Sequence, residues 1–356
     1  MNHGGSFMGS PPPQHGPRQA LQLGLDVNKA NQNILRLLES SHGIHNYSAH
    51  YQDASSPCWH NSCGLRWTFE ASTGSNSNTG HWVARRPQDS SRNSTPATLD
   101  WIPTVSWIQF SDDRTALAKL QAMDGSYRYI SLLRLDNPSP SSSLMVANDG
   151  WVIVREVACP IGSNGNSSNP SSSSSDLVSL IQCLQEYLNV EHGGGVDDYT
   201  KAKEELFAPQ ATLLTVGMAP SDKAPTDWSA PVGTLLEIPL DIYLEGVKTQ
   251  TPHHASSRYH DAIVQIDMTK TWTSTGEDVA VAAATVKVGN GARTLVFVDH
   301  LLLGKHGTSG WKILSKTFSP QLWEDDPYED ATMGNNSQHH EHSHDHGHCH
   351  HHHHNH

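Results

Sequence analysis

The feature that most constrains the fold is an internal repeat of one strand-like segment. Residues 148–157 read NDGWVIVREV, and residues 308–317 read TSGWKILSKT. In both copies a small residue and Gly-Trp precede an aliphatic pair, which is followed by charged or polar residues. A match of this length can arise by chance, so the elements upstream must decide whether the chain contains one domain twice.

The upstream elements recur in the same order in both halves of the chain. The second half shows two helical patterns, a strand, a third helix and four strand-like runs whose turn-rich connectors favour antiparallel hairpins. The first half shows an amphipathic helix at 26–40 and the corresponding strands. We therefore predict a duplicated domain of the α+β class. The segments of the second half are 176–192, 197–207 and 238–248 for the helices, and 211–218, 258–268, 279–288, 294–304 and 311–319 for the strands.

Helix signals predict where these segments begin and end. Asp176 is a plausible N-cap of the first helix in the second half. Pro209 is predicted to stop the second helix, and Pro239 to lie in the first turn of the third. The corresponding part of the first half, residues 72–101, is loop-like and lacks a clear third helix.

Composition sets the domain limits. Residues 1–24 are rich in Gly, Pro and His, and we expect them to be disordered; residues 161–176 form a Ser/Asn linker. The folded domains are then predicted at 25–160 and 177–323, followed by an acidic and His-rich disordered tail at 324–356.

The two copies are not chemically equivalent. Aligning the Gly-Trp strands pairs Val152, Arg155 and Glu156 with Lys312, Ser315 and Lys316, and aligning the preceding strands pairs Ile130 and Ser131 with Asp299 and His300. The first copy is therefore predicted to be a degenerate domain that serves packing or assembly more than chemistry.

Charge and hydropathy exclude two classes of partner. The formal net charge is −13 and no Lys/Arg cluster interrupts it, so we do not expect nucleic-acid binding. The N-terminus has no signal-peptide pattern, and no stretch approaches the ~20 apolar residues of a membrane-spanning helix. The expected location is the cytoplasm.

The five cysteines do not form a disulfide framework in a chain of 356 residues. Cys58 and Cys63 are the only close pair, and with His60 between them they are a candidate metal site. A structural or incidental role is the alternative, because no second ligand pair follows at zinc-site spacing.

The second half resembles a known family through a series of short motifs. It is similar to the nuclear-transport-factor-2-like superfamily, which includes ketosteroid isomerases and SnoaL-type cyclases, and within it to the lumazine-binding-like group. The resemblance implies a cone-shaped domain, in which helices pack on a curved antiparallel sheet around a pocket, and hence two tandem cones. The motifs are EHGGG (191–195), LFAPQATL (206–213), AIVQID (262–267), VAVAAATV (279–286), FVDHLLL (297–303) and SGWKILSKTF (309–318).

Strand periodicity suggests which polar residues meet this pocket. On the strand at 258–268, the face that carries Arg258 and His260 becomes apolar from Ala262 onward and is the predicted inner face; Val264, Ile266 and Met268 continue it. His260 is a candidate catalytic residue, and Arg258 and His192 are candidate ligand-binding residues. The alternative for His260 is a hydrogen-bonded histidine at the rim.

The adjacent pair Asp299 and His300 must point to opposite faces of its strand, so one polar group enters the pocket. An Asp in an apolar cone has a raised pKa, which suits a general base, whereas His300 exchanges protons near neutrality. Tyr243 on the third helix is the candidate hydroxyl donor to an oxyanion, as in ketosteroid isomerases. The alternatives are a paired structural Asp and a core tyrosine.

The tail is the strongest metal-binding signal. It holds 12 of the 25 histidines together with carboxylates, and imidazoles in this density bind Zn, Ni or Cu. No cofactor is expected to be required by the folded domains. The predicted ligands are His339, His340, His342, His344, His346, His348, Cys349, His350, His351, His352, His353, His354 and His356.

Three hypotheses for function follow from these patterns. The first is a protein that binds a small apolar or aromatic molecule in the pocket of the second domain, with or without acid/base chemistry of the isomerase or cyclase kind. The second is a structural or interaction protein whose pocket is filled by side chains. The third is a metal buffer or chaperone that acts through the tail. In each case the outer sheet faces are expected to pair, either within the chain or in a homodimer.

Overall fold

A computed structural model describes residues 26–42, 64–70, 80–86, 104–121, 126–136, 149–159, 174–217, 233–252, 258, 260–272, 278–290, 295–307 and 309–322. Four helices and twelve strands lie in these ranges. The helices are α1 (Val27–His42), α2 (Ser174–His192), α3 (Val196–Lys201, continued by a π-helical turn at Ala202–Leu206) and α4 (Leu240–Thr249). The strands of the first half are β1 (Leu65–Glu70), β2 (His81–Arg85), β3 (Thr104–Phe110), β4 (Thr115–Gln121), β5 (Tyr127–Arg134) and β6 (Trp151–Ala158). Those of the second half are β7 (Phe207–Val216), β8 (Leu235–Pro239), β9 (Ala262–Trp272), β10 (Asp278–Asn290), β11 (Leu295–His306) and β12 (Lys312–Leu322).

The two halves have the same sheet topology, which confirms the tandem α+β architecture. The first sheet has the order β2-β1-β6-β5-β4-β3 and the second the order β8-β7-β12-β11-β10-β9. Both sheets contain one parallel pair, β1 with β6 and β7 with β12. The sheets, predicted as antiparallel, are therefore mixed, with one parallel pair each. Trp151 and Trp311 begin equivalent strands and are both buried.

Each sheet has two β-bulges, and these lie at equivalent places in the two sheets. The pairing of β5 with β6 skips Val154, and that of β11 with β12 skips Leu314. The pairing of β3 with β4 likewise skips Ser106, and that of β9 with β10 skips Val264. Since a bulge bends its strand and increases the local twist, the two sheets curve at the same points.

The register corrects one part of the sequence alignment. Ile130 pairs with Glu156 in the first sheet, and Leu301 pairs with Lys316 in the second. Counting back along each strand, Arg128 is equivalent to Asp299 and Tyr129 to His300. The sequence comparison had paired Ile130 and Ser131 with these residues, an error of two positions. The alignment from sequence and the alignment from strand pairing differ by two positions, so both place a given residue on the same face of its strand. The pattern of apolar residues therefore could not distinguish the two alignments.

One face of each sheet is covered by helices. Helix α1 places Ile34, Leu37 and Leu38 on the first sheet, and α2 places Leu184 and Tyr187 on the second. We call these helix-covered surfaces the concave faces. On α2, Leu180, Leu184, Tyr187 and Val190 are buried, whereas Leu177 in the first turn is 40 % exposed.

The opposite faces of the two sheets pack against each other, as the sequence led us to expect. Their shared apolar cluster joins Trp67, Leu117 and Tyr129 of the first half to Val281 and Leu302 of the second. A polar group crosses the same interface. The carboxylate of Asp267 accepts hydrogen bonds from Trp107 Nε1 at 2.9 Å, from Lys119 Nζ at 2.6 Å and from the Tyr129 hydroxyl.

Several predicted boundaries were wrong. Residues 81–85 form a strand, not a loop, and a strand also precedes α4. Pro239 is the N-cap of α4 and not part of its first turn. Pro209 lies inside β7, where the pairing with β12 is irregular, so the missing N–H is tolerated. Asp176 lies within α2, and its carboxylate bonds Lys270 and Lys305.

In the described part of the chain, no helix combines the length and apolar character needed to cross a bilayer.

Candidate functional site

Strand β11 decides which polar residue enters the second concave face. Phe297, Leu301 and Leu303 contact the helix-side core, while Leu302 contacts the other sheet. Because side chains alternate, Asp299 shares the face of Leu301 and His300 shares the face of Leu302. Asp299 therefore points toward α2, and His300 points toward the first half.

Asp299 belongs to a buried cluster of charged and phenolic groups. The Tyr187 hydroxyl donates to Asp299 Oδ2 at 2.6 Å. The Lys316 ammonium lies 3.2 Å from the same oxygen and donates to Glu191 Oε1 at 2.6 Å and to the Tyr187 hydroxyl at 2.5 Å. The Tyr243 hydroxyl donates to Glu191 Oε1 at 2.9 Å. We call these five residues the Asp299 cluster.

Burial sets the protonation of the cluster. Burial raises the pKa of Asp299 to about 6, against the opposing attraction of Lys316. Burial also works against the charge of Lys316, but Asp299 and Glu191 outweigh it and raise the pKa of the ammonium. Burial, reinforced by neighbouring carboxylates, raises the pKa values of Tyr187 and Tyr243 well above their ordinary value, so both hydroxyls remain donors. Burial works against the charge of Glu191, but Lys316 outweighs it and lowers the pKa of that carboxyl. The cluster thus holds one cation, two phenols, the Glu191 carboxylate and the Asp299 carboxyl, whose pKa is about 6.

One oxygen of this cluster has no hydrogen-bond partner in the described part of the chain. Asp299 is fully buried, and its Oδ1 atom meets no donor among the described residues. A buried carboxylate oxygen without a donor is costly, on the order of 1–3 kcal/mol or more. Glu191, whose side chain is 17 % exposed, and the partly buried Tyr243 are the members of the cluster that solvent reaches. The arrangement can therefore accept a hydrogen bond from a donor group that reaches Oδ1.

His300 lies on the other face and contacts the first half of the chain. Its Nε2 is 2.5 Å from Ser111 Oγ, and the neighbouring Asp112 accepts a hydrogen bond from Ser319. Burial lowers the pKa of His300 to about 3, so the ring is neutral near pH 7. Its position between the sheets separates it from the Asp299 cluster.

The His300→Gln substitution is expected to make the protein less sensitive to acid. Between pH 6.5 and 3 the unfolded chain binds a proton at this histidine that the folded chain does not. Folded stability therefore falls by about 1.4 kcal/mol per pH unit in that window. Asp299 acts in the opposite sense, because its folded pKa of about 6 exceeds its ordinary value of 3.8. Urea unfolding of wild type and His300→Gln at pH 7 and pH 5 measures their free energies of unfolding. If the difference between the two proteins is the same at both pH values, the low pKa assigned to His300 is wrong.

The other predicted site residues lie away from Asp299, except Tyr243. His192 is buried, and its Nε2 lies 2.8 Å from Asp261 Oδ1, which also accepts the Gly289 N–H. Arg258 is exposed, and its Nη1 is 3.3 Å from Asn189 Oδ1. His260 is partly buried in the short turn that precedes β9. The predicted inner face of β9 is also interrupted, since the bulge at Val264 places Ile263 on the helix-side core together with Ile266 and Met268.

Three residues of the cluster were missed by sequence reasoning. Tyr187 and Glu191 are four residues apart on α2 and so share one helix face, which was a usable signal. Lys316 stood out only as a charged residue in a mostly apolar strand. The partner that explains it is distant in sequence, so the pairing could not be read from local pattern.

Both predicted metal sites lie entirely outside the described ranges. The structure does not describe Cys58, His60 and Cys63, nor the tail histidines at 339–356, so metal binding at either place stays a prediction. Among the residues that the structure describes, no group of three or more His, Cys, Asp or Glu side chains is placed to hold a metal ion. Cys159 and Cys183 are free thiols whose pKa values burial raises to about 12.

Comparisons with known proteins agree with the sequence motifs in the second half. A solved structure, a cystatin-like fold protein from Burkholderia xenovorans LB400, is 12 % identical and covers 43 % of this chain and 96 % of its own. Its TM-score is 0.23, so the superposition carries no argument. No curated protein matches the chain. The family model described as "Putative lumazine-binding" matches residues 178–319. The resemblance predicted from the motifs is thus confirmed for the half of the chain that carries the Asp299 cluster, which matches this family of the nuclear-transport-factor-2-like fold.

Proposed function

We propose that the second concave face binds a small organic molecule and that Asp299 is its polar anchor. The observation that carries the proposal is the buried Oδ1 atom of Asp299, which meets no donor among the described residues. A bound N–H or O–H group supplies the missing hydrogen bond. The family description, which names a small heterocycle as ligand, supports this class of partner.

The charges of the cluster narrow the class of ligand. Two carboxylates share one ammonium, so a further anion is disfavoured next to Asp299. The surrounding side chains are apolar or aromatic, including Leu188, Phe207 and Phe297. An apolar or aromatic molecule with an N–H donor, neutral or cationic, complements this environment. Acid/base chemistry on the bound molecule is the finer hypothesis, because a carboxyl with a pKa of about 6 exchanges protons near neutral pH.

The Asp299→Asn substitution is expected to weaken ligand binding by about tenfold to a hundredfold. The amide oxygen keeps the bond from Tyr187, and Lys316 keeps Glu191, so the fold changes little. The amide nitrogen then replaces Oδ1 and presents a donor where the ligand needs an acceptor. For the wild-type protein, affinity should also fall as pH drops through about 6, because protonated Asp299 is a poorer acceptor.

The measurement is a thermal-shift screen of the full chain against N–H heterocycles, followed by calorimetry on the compounds that raise Tm. Glu245→Gln is the control, because this exposed carboxylate on α4 pairs with Lys248 outside the cluster. Compounds that bind wild type and Asp299→Asn equally would refute Asp299 as the anchor.

The second candidate function is a structural protein whose concave face is filled. It is favoured by the complete burial of Tyr187 and Asp299, since a ligand must displace side chains to reach them. The two functions predict different results in the same screen. A filled face gives no stabilising compound, and Asp299→Asn then changes only the stability of the free protein.

A further inference from the structure

The second concave face carries another buried polar atom that lacks a partner in the described part of the chain. Thr215 on β7 is 0 % exposed, and its Oγ1 atom meets no hydrogen-bond partner among the described residues. Its strand neighbours Leu214 and Val216 pack in an apolar cluster with Val152 of the first half. Because side chains alternate along a strand, Thr215 points the other way, onto the face that carries Asp299.

The strand register places Thr215 in the same row of the sheet as Asp299. Asp299 on β11 pairs with Phe318 on β12. On the other side of β12, Thr317 pairs with Leu214 of the parallel strand β7, so the next residues along these strands, Phe318 and Thr215, are neighbours. Asp299 and Thr215 therefore lie on either side of Phe318, two strands apart.

This separation fits a ligand that is one ring wide. Neighbouring strands are about 4.8 Å apart, so the backbones of Asp299 and Thr215 lie roughly 10 Å from each other. A hydrogen bond of about 2.9 Å at each end leaves roughly 4 Å between the two bonded atoms of the ligand. A six-membered ring with polar atoms on opposite sides has this width. One such molecule can therefore reach Asp299 Oδ1 and Thr215 Oγ1 at once.

The side chains between the two polar atoms suit an aromatic ring. The centroid of the Phe318 ring lies 6.1 Å from that of Phe297, in an edge-to-face arrangement, and 5.2 Å from the Lys316 ammonium. Phe297 is partly buried, as is Tyr243 of the Asp299 cluster. Aromatic side chains favour contacts with the rings of bound molecules. The middle of the ligand is thus expected to be planar and apolar.

The two polar atoms require different partners. Asp299 Oδ1 accepts a hydrogen bond when the carboxyl is ionised, so it matches an N–H group. The Thr215 hydroxyl has one O–H donor, and a buried donor without an acceptor is costly. A carbonyl oxygen on the far side of the ring accepts this hydrogen.

We propose that Thr215 is the second anchor of the ligand, and that this ligand is a planar heterocycle with an N–H group and a carbonyl group on opposite sides of one ring. The inference rests on the function proposed above, in which Asp299 is the first anchor. It adds a basis for specificity. A heterocycle without the carbonyl binds less tightly, because the Thr215 hydroxyl then stays unpaired.

Thr215→Val tests whether the hydroxyl is unpartnered in the free protein. Valine keeps the shape of threonine and removes the O–H group, so the midpoint of urea unfolding is expected to stay the same or to rise. Thr115→Val is the matched control, because the buried hydroxyl of Thr115 donates to Asp112 Oδ1 at 2.7 Å. That variant should unfold at a lower urea concentration. A similar fall for Thr215→Val would show that its hydroxyl already has a partner, which overturns the proposal.

Calorimetry on the full chain with 4(1H)-quinolone and with indole tests the second anchor directly. Both probes are aromatic N–H compounds, and the quinolone alone carries a carbonyl across the ring from its N–H. Wild type is expected to bind the quinolone about tenfold more tightly than indole. Thr215→Val should lose this preference, because it weakens binding of the quinolone and leaves binding of indole unchanged. Asp299→Asn should weaken binding of both probes.

The outcomes separate this proposal from the one on Asp299. If binding of the quinolone falls in Asp299→Asn but not in Thr215→Val, Asp299 remains an anchor and Thr215 is not one. If the quinolone does not bind wild type, the ligand class proposed here is wrong, while the screen of N–H heterocycles still decides the role of Asp299.

Discussion

Replacing Lys316 by Met is expected to destabilise the folded chain by about 3–5 kcal/mol at pH 7. The Lys316 side chain is 6 % exposed and lies between the carboxylates of Asp299 and Glu191. Without the ammonium, the two acids face each other in an apolar environment with no cation between them. Removing one partner of a buried ion pair costs more free energy of folding than the pair itself contributes. The reason is that the remaining charge is buried with neither water nor an opposite charge to stabilise it.

The same loss should shrink as the pH falls. The attraction of Lys316 opposes the upward shift of the Asp299 pKa, so in the variant that pKa rises above its present value of about 6. Protonation of Asp299 then removes one of the two unpaired charges. Urea unfolding at pH 7 and pH 5 measures both effects.

Lys312→Met is the control for this substitution. Lys312 lies on the same strand, but its ammonium donates to the backbone carbonyl of Glu204 and not to a buried carboxylate. A loss of about 1 kcal/mol or less is expected there. If Lys316→Met is equally mild, the cluster is more hydrated than the structure indicates, and the case for a buried Asp299 anchor weakens.

Replacing Asp267 by Ala is expected to cost about 2–4 kcal/mol and to loosen the contact between the two sheets. Its carboxylate accepts bonds from Trp107, Lys119 and Tyr129, all of which belong to the first half. The Lys119 side chain is only 13 % exposed, so its charge loses a close partner in a poorly solvated place. Burial, with the nearby Asp267 carboxylate, holds the pKa of Tyr129 well above its ordinary value, so its hydroxyl also remains a donor.

Cys159 offers a direct reporter of this interface. Its thiol is buried in the apolar cluster between the sheets. In a variant that keeps Cys159 as the single cysteine, Asp267→Ala should raise the rate of labelling by a thiol reagent by about tenfold or more. Asp278→Ala is the control, because Lys270 retains Asp176 when Asp278 is removed. Unchanged labelling in Asp267→Ala would show that the apolar contacts alone hold the sheets together.

Some helices and strands could be predicted from the local pattern of apolar residues alone. The amphipathic helix α1 follows from the spacing of its apolar residues, and the strands β5 and β11 follow from short apolar runs between turn-rich segments. The repeated Gly-Trp segment, with the order of elements before it, was enough to predict the duplication. Short strands next to loop-like sequence, such as His81–Arg85, carried too few residues for a periodic signal.

The sequence by itself determined that Asp299 and His300 point in opposite directions, because neighbours on a strand always do. It could not say which of them enters the concave face, since both faces of β11 are apolar. That choice was made by the tertiary structure, which covers one face with α2 and the other with a second sheet. The equivalence of Arg128 on β5 with Asp299 on β11 was decided in the same way. It depends on register, and a register shift of two residues preserves every inward and outward position while it changes every partner.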